Sequence, residues 1–303
     1  MHQVLRAIVE PGLFANPSVQ LAAAVGAVVA IVAGCVGVFT VIRGQSFAGE
    51  ALGDLGASGG SAAYLVGVAP LWGFMAITVT AAGIMELIGI QRARGRDLAT
   101  GIVLGAGFGL AALFLYLGTT YDNTTGATVT ILFGSPFTLS TSVLPLVAVF
   151  GALALGVILT LYRPLLLVSV SPDLASARRL RVRLVGALYL LAMALAVALS
   201  ALTIGAILST ALLVGPAATA LQLTRRPGRA ILTAGLVGIG SMWLGILLAY
   251  DSYYWPPLHH GWPVSFFVVT IVLVAYLISR MISTRTGSRR DPRPTRPPAQ
   301  AVS

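Results

Sequence analysis

Residues 204–226 read IGAILSTALLVGPAATALQLTRR, an uncharged run closed by two arginines. The run Ile204–Leu223 has the length, about 20 residues, that an α-helix needs to cross roughly 30 Å of hydrocarbon. Small residues fill it: Gly205, Ala206, Ser209, Ala211, Gly215, Ala217, Ala218 and Ala220. Such residues let helix backbones approach closely in lipid, where there is no hydrophobic drive between helices. Pro216 has no N–H to donate and is predicted to kink or break the helix. Discontinuities of this kind mark the moving or ion-lined parts of transporters, and close helix packing produces the same composition. Ser209 and Pro216 are therefore candidate pathway or gating residues.

Outward from this stretch, similar apolar runs recur at Leu21–Ile42, Leu71–Ile90, Thr100–Leu117, Leu144–Tyr162, Leu184–Leu202, Ile231–Tyr250 and Val264–Ile282. A further run, Ala57–Ala69, is short and glycine-rich, which predicts a broken or re-entrant helix shielded by protein. Of 303 residues, 57% are hydrophobic and 9% charged, far below the roughly 25% charge of soluble domains. The expected fold is all-α and polytopic, with about eight or nine transmembrane helices, one of them short or broken. Residues 1–18 read as an N-terminal surface segment without a signal peptide, since Arg6, Glu10 and Pro11 interrupt the apolar run. Residues 19–282 form the transmembrane domain. The arginine- and proline-rich stretch 283–303 is too poor in apolar residues to fold and reads as a disordered basic cytoplasmic tail.

The net charge of +10 is carried by arginine alone, because the chain contains no lysine. P-loop nucleotide chemistry and lysine Schiff bases are thereby excluded. Cys35 is solitary, so no intrachain disulfide forms, and it reads as a small core hydrophobe. Arg43, Arg92, Arg94 and Arg96, Arg163, Arg178 to Arg183, Arg225 to Arg229, and Arg280 onward fall on one side of the predicted spans. That side is cytoplasmic by the excess of basic residues in cytoplasmic loops. The turn around Tyr121–Thr124 and the aromatic loop Asp251–Trp262 are then extracellular, while the side of the N-terminus stays open between eight and nine spans. No nucleic-acid partner is expected; the surroundings are the lipid bilayer of the cell membrane.

Ionisable residues at bilayer depth cost about 2.5–3.5 kcal/mol each and are functional candidates by default. Glu50 and Asp54, in SFAGEALGDLGASGGSAAYLVG, are four residues apart and share a face if the run is helical. Two such carboxylates repel, and a divalent cation or a shared proton relieves the repulsion. The same pair also suits a helix start near the interface, where acids complement the macrodipole. Gly53 and Ser58, among the neighbouring small residues, join the candidate pathway set. Within the cytoplasmic segment 163–183, Ser171, Pro172 and Asp173 make a helix start, with Arg178 and Arg179 near its end. His259 and His260 could capture a metal at the extracellular side or stay a solvated pair. Glu86 reads as a structural partner of the Arg92 cluster, and Asp97 as a helix cap.

In order along the chain, four stretches resemble the membrane permeases of bacterial ATP-binding-cassette importers for zinc, manganese and iron. They are VIRGQSFAGEALGDLGASGGSAAYLVG, RARGRDLATGIVLGAGFGLAALFL, ILFGSPFTLS with its Phe-Gly-Ser signature, and IGAILSTALLVGPAATALQLTRR. The likeness covers most of residues 19–282 and implies a type II importer-like permease that is a homodimer and not itself an enzyme. It implies cytoplasmic ATP-binding subunits on separate chains and an extracellular metal-binding lipoprotein. It also gives Pro172, Asp173, Arg178 and Arg179 a role in contacting the ATPase. No cofactor is held permanently; the cargo is a divalent metal ion. Where the family carries Asp and His in a Gly-Asp-Ala-Leu-Ser-His run, this chain has Glu50 and Asp54. Carboxylate oxygens are harder ligands than imidazole, which moves the preference from zinc toward manganese or ferrous iron.

Two rivals share these residues: a proton-driven secondary carrier using the Glu50/Asp54 pair, and the same importer architecture carrying a chelated metal or organic cargo. An intramembrane enzyme is disfavoured, since the chain lacks HExxH and GxSxG.

Overall fold

The structure is a computed structural model and describes residues 16–88, 96–121, 125–224, 226–252 and 261–287. These form twelve α-helices and one 3-10 turn: α1 Pro17–Ile42, α2 Ser46–Leu65, α3 Pro70–Ile88, α4 Arg96–Tyr121, α5 Thr125–Phe133, the 3-10 turn Pro136–Thr138, α6 Val143–Thr160, α7 Tyr162–Val170, α8 Pro172–Ala177, α9 Val182–Ile204, α10 Ser209–Leu223, α11 Pro227–Asp251 and α12 Val264–Gly287. No strand occurs among the described residues.

Asn16 starts α1 by accepting the Ser18 N–H at 3.0 Å, with Pro17 in the first turn where its missing donor does no harm. Small apolar residues line every side of α1 and α9, so both can be surrounded by other helices, and both are mostly buried. By contrast α4, α6 and α12 leave most of their apolar surface outside, as helices bordering lipid must. Gly37 sits so close to the Leu213 carbonyl that α1 and α10 touch backbone to backbone.

Among the described residues seven helices are long and apolar enough to cross a membrane: α1, α3, α4, α6, α9, α11 and α12. Parity of the arginines requires two more. Arg43 follows α1 and the Arg92 cluster follows α3, so α2 must carry the chain back across between them. Likewise Arg178–Arg183 precede α9 and Arg226 and Arg229 follow α10, so α10 returns what α9 took out. On the excess of basic residues at the cytoplasmic side, the described helices would make nine crossings, with the N-terminal end of α1 extracellular.

Two expectations are corrected. The run Ala57–Ala69 is not a broken helix: residues 57–65 are the second half of the continuous 20-residue helix α2, and 66–69 form the turn that follows it. Its glycines serve close approach to α3 and α4: Gly59 meets Gly73 backbone to backbone, and a Cβ on Gly107 would come within 2.9 Å of the Leu55 nitrogen. Nor does Pro216 break its helix. The 15-residue α10 runs through it, and the discontinuity falls earlier, at Gly205 with φ 86° and ψ 160°.

The re-entrant element lies elsewhere. Because α4 leaves the cytoplasmic side at Arg96 and α6 returns to it before Arg163, the intervening α5 and 3-10 turn start and finish outside. At its inner end Gly134, with φ 71°, meets Gly205 backbone to backbone. The Ala206 N–H donates to the Ile131 carbonyl at 3.1 Å and Ile207 N–H to Leu132 at 3.4 Å. Irregular backbone at depth needs such partners, since lipid supplies none. Thus the Phe133-Gly134-Ser135 signature is the seat of the α9–α10 corner.

Candidate functional site

The candidate site is built on α2, which packs against α3, α4, α9 and α10. Small residues on the face toward α10 let the two helices close up in antiparallel fashion. A Cβ on Gly49 would stand 3.0 Å from the Leu213 Cδ2, and one on Gly53 2.9 Å from the Ser209 Oγ. Gly53 and Ser209 are thus brought together. Pro216 is buried two turns farther along α10.

Asp54 follows Gly53 and is 3% exposed. Its Oδ2 has no hydrogen-bond partner. A buried carboxylate oxygen without a donor is costly unless a cation or proton compensates it. The neighbouring hydroxyls do not supply one. Ser58 Oγ donates to the Leu55 carbonyl at 2.6 Å and Ser61 Oγ to Ala57 at 2.7 Å, each to its own helix. Ser209 Oγ likewise donates to the Ala206 carbonyl at 2.8 Å.

Glu50, one turn before Asp54, faces outward from the single chain. Its Cα lies four residues inside α2, a rise of about 6 Å at 1.5 Å per residue. Chemically the pair offers four oxygens and two negative charges, enough to neutralise one divalent cation. Among the described residues no group of three or more His, Cys, Asp or Glu comes together, so no closed protein cage forms. A cation here would complete its shell from water, backbone carbonyls or another chain. That suits transient passage better than storage.

At the cytoplasmic face, Ser171 Oγ accepts the Leu174 N–H at 3.3 Å and starts α8 at Pro172, as its sequence implies. Asp173 falls in the first turn of that helix. Arg178 and Arg179 are exposed at its far end. There the Arg179 N–H donates to the Ser176 carbonyl at 2.9 Å and the Leu180 N–H to Ala175 at 3.1 Å, the paired bonds of a Schellman turn. Arg179 has φ 58°, a left-handed conformation that normally selects glycine. His259 and His260 lie outside the described residues.

One cluster escaped sequence reasoning. The Arg43 guanidinium lies 4.8 Å from the centre of the Tyr189 ring, and its Nε donates to Gln45 Oε1 at 3.3 Å. Tyr189, fully buried, donates its hydroxyl to Thr40 Oγ1 at 2.9 Å. Glu86 acts electrostatically on Arg43, while its expected partner, the Arg92 cluster, has Arg92 and Arg94 outside the described residues. Tyr189 sits in an uninterrupted apolar run, and nothing in its sequence neighbourhood distinguishes it from a packing residue.

Similar proteins share this architecture. The chain is 27% identical over 239 residues to the manganese transport system membrane protein MntC of Listeria innocua, covering 79% of this chain and 84% of that one. It is 29% identical over 228 residues to MntC of Halalkalibacterium halodurans, covering 75% and 77%. Among solved structures, PsaBC of Streptococcus pneumoniae in complex with Fab superposes with a TM-score of 0.78 at 24% identity, over 95% of this chain and 100% of that one. The model of the ABC 3 transport family matches residues 16–283, and the chain belongs to that family.

Proposed function

We propose that this chain is the permease subunit of an ATP-driven importer for a divalent metal ion, with manganese as its cargo. The observation that carries the proposal is Asp54, buried in the middle of α2 with an oxygen that no protein group satisfies, one turn from the outward-facing Glu50. The pair would hold the ion in passing. Two carboxylates and no imidazole favour a hard cation, which supports manganese over zinc. The names of the MntC relatives support the same choice. Glu50 opens outward from one chain at membrane depth, which supports a homodimer whose second copy covers it. With no lysine for a P-loop, the energy would come from ATP-binding subunits docked at α8, and cargo from an extracellular metal-binding lipoprotein.

The test is uptake of radioactive manganese into cells depleted of their own importers. Glu50→Gln combined with Asp54→Asn is expected to abolish accumulation at unchanged membrane abundance. Undiminished uptake by the double variant removes the pair from the pathway. Uptake that survives ATP depletion while a proton gradient is maintained identifies a secondary carrier instead.

A further inference from the structure

The Arg43 cluster sits where the ATPase-facing end of the chain meets the base of α2. From Arg181, which precedes α9, the helix leads directly out of the α8 turn, and Tyr189 comes two turns later, about 11 Å along the axis. Its ring lies under Arg43 and its hydroxyl on Thr40, both at the cytoplasmic end of α1. Arg43 in turn holds Gln45, the residue that precedes α2 and whose carbonyl accepts the Gly49 N–H at 3.1 Å. Glu50 follows Gly49. Met193, one turn beyond Tyr189, has its sulfur 3.5 Å from the Tyr189 hydroxyl oxygen, and that sulfur would stand 3.9 Å from a Cβ on Gly49. Glu86 of α3 adds a negative charge to the electrostatic surroundings of the same guanidinium.

We infer that Arg43 is a positioning residue that transmits movement of the α8–α9 segment to the carboxylate-bearing turn of α2, through its stacked contact with Tyr189 and its bond to Gln45. The physical grounds are two. A guanidinium over an aromatic face and a donor to an amide oxygen are directional, so displacement of α9 changes both contacts at once. And the cluster joins α1, α2 and α9 by direct contacts, so a shift of α9 there bears on the other two. Simple packing would not need a cation at this depth, since an aliphatic side chain fills the same space without desolvating charge.

This inference rests on the reading of the chain as an ATP-driven manganese permease, and the experiment separates the two. The complete complex, with its ATPase subunits, is reconstituted into liposomes, and manganese uptake and ATP hydrolysis are measured on the same preparation. ATP-dependent manganese uptake by the unaltered complex is required by the functional reading, and its absence would overturn that reading before any variant is scored. In Arg43→Met the ratio of ions imported to ATP hydrolysed is expected to fall about tenfold, the scale on which residues along such a network alter coupling. Hydrolysis itself and co-purification of the ATPase are expected to hold. Arg43→Lys keeps the charge but not the planar fork and should fall between, while Tyr189→Phe, which keeps the ring, should stay close to the unaltered ratio. Because Tyr189 is buried and its variants could misfold, Arg43→Lys carries the decision. A ratio unchanged in both Arg43 variants, or import and hydrolysis that decline in parallel, overturns the assignment.

Discussion

Gly205→Ala tests the corner on which the outer half of the molecule depends. Gly205 has φ 86° and ψ 160°, a region that side chains with a Cβ enter only at a cost of about 1–3 kcal/mol. A Cβ there would also collide with the Leu132 carbonyl oxygen and with the Phe133 and Leu132 backbone carbons, none of which is the flexible end of a side chain. The re-entrant segment must then retreat, and the bonds from Ala206 to Ile131 and from Ile207 to Leu132 are lost. At about 0.5–1.5 kcal/mol each, these raise the total to about 2–6 kcal/mol. Against the roughly 5–15 kcal/mol by which ordinary domains are stable, that is a large fraction. Thermal melting of the detergent-solubilised protein should fall by at least about 4 °C, taking 2–4 °C per kcal/mol for a chain of this size class. Gly83→Ala is the control: it is helical and has nothing within 4 Å of a new Cβ, so it should melt with the parent or slightly above it. If Gly205→Ala melts together with Gly83→Ala, the backbone contact with Gly134 does not hold the corner.

Three further outcomes are expected. Arg179→Gly relieves a left-handed residue and should raise the melting temperature by the equivalent of about 1 kcal/mol, yet weaken co-purification of the ATPase if the guanidinium docks there. Gly53→Ala places a methyl 2.9 Å from the Ser209 Oγ and should lower stability, and Ser209→Ala should recover part of the loss, so that a double-mutant cycle shows coupling of at least about 0.5 kcal/mol. Asp54→Asn removes a buried charge whose Oδ2 has no partner and should stabilise the metal-free protein while manganese, which raises the melting temperature of the parent, no longer does so; a manganese shift that persists in the variant would place the ion elsewhere.

Much of the fold was legible because lipid imposes few choices. Seven apolar runs became seven long helices, and arginine placement is the sequence signal for their direction. What misled was punctuation. Pro216 looked like the break, but proline's cost is one missing bond and a local clash, which the buried, closely packed α10 absorbs, whereas Gly205 adopts a conformation only glycine tolerates. The short, glycine-rich run Ala57–Ala69 looked like a broken helix, yet its residues 57–65 continue α2, and neighbouring helices cover Gly59 and Gly60. At the candidate site, the four-residue spacing of Glu50 and Asp54 was readable, and their different surroundings were not. One carboxylate faces out and the other is enclosed, because α3, α4, α9 and α10 wrap α2 unevenly. Local periodicity carries no record of such distant neighbours.

Two crossings fail the ordinary test of a membrane span: α2, which is not apolar enough, and α10, which at 15 residues reaches about 22 Å of the roughly 30 Å required. They are also the two that touch at Gly49 and Gly53, and one of them carries both acids. The coincidence has a physical cause. A segment that serves a cation must offer oxygens and close approach, which lowers its affinity for lipid. A helix that stops short leaves room at depth, which the re-entrant segment fills through Gly134. Neither could stand alone in hydrocarbon, and the conventional helices around them remove that requirement by supplying the solvent-facing surface. On the pathway proposed above, weakness as a membrane span is the property shared by the two helices that would line it.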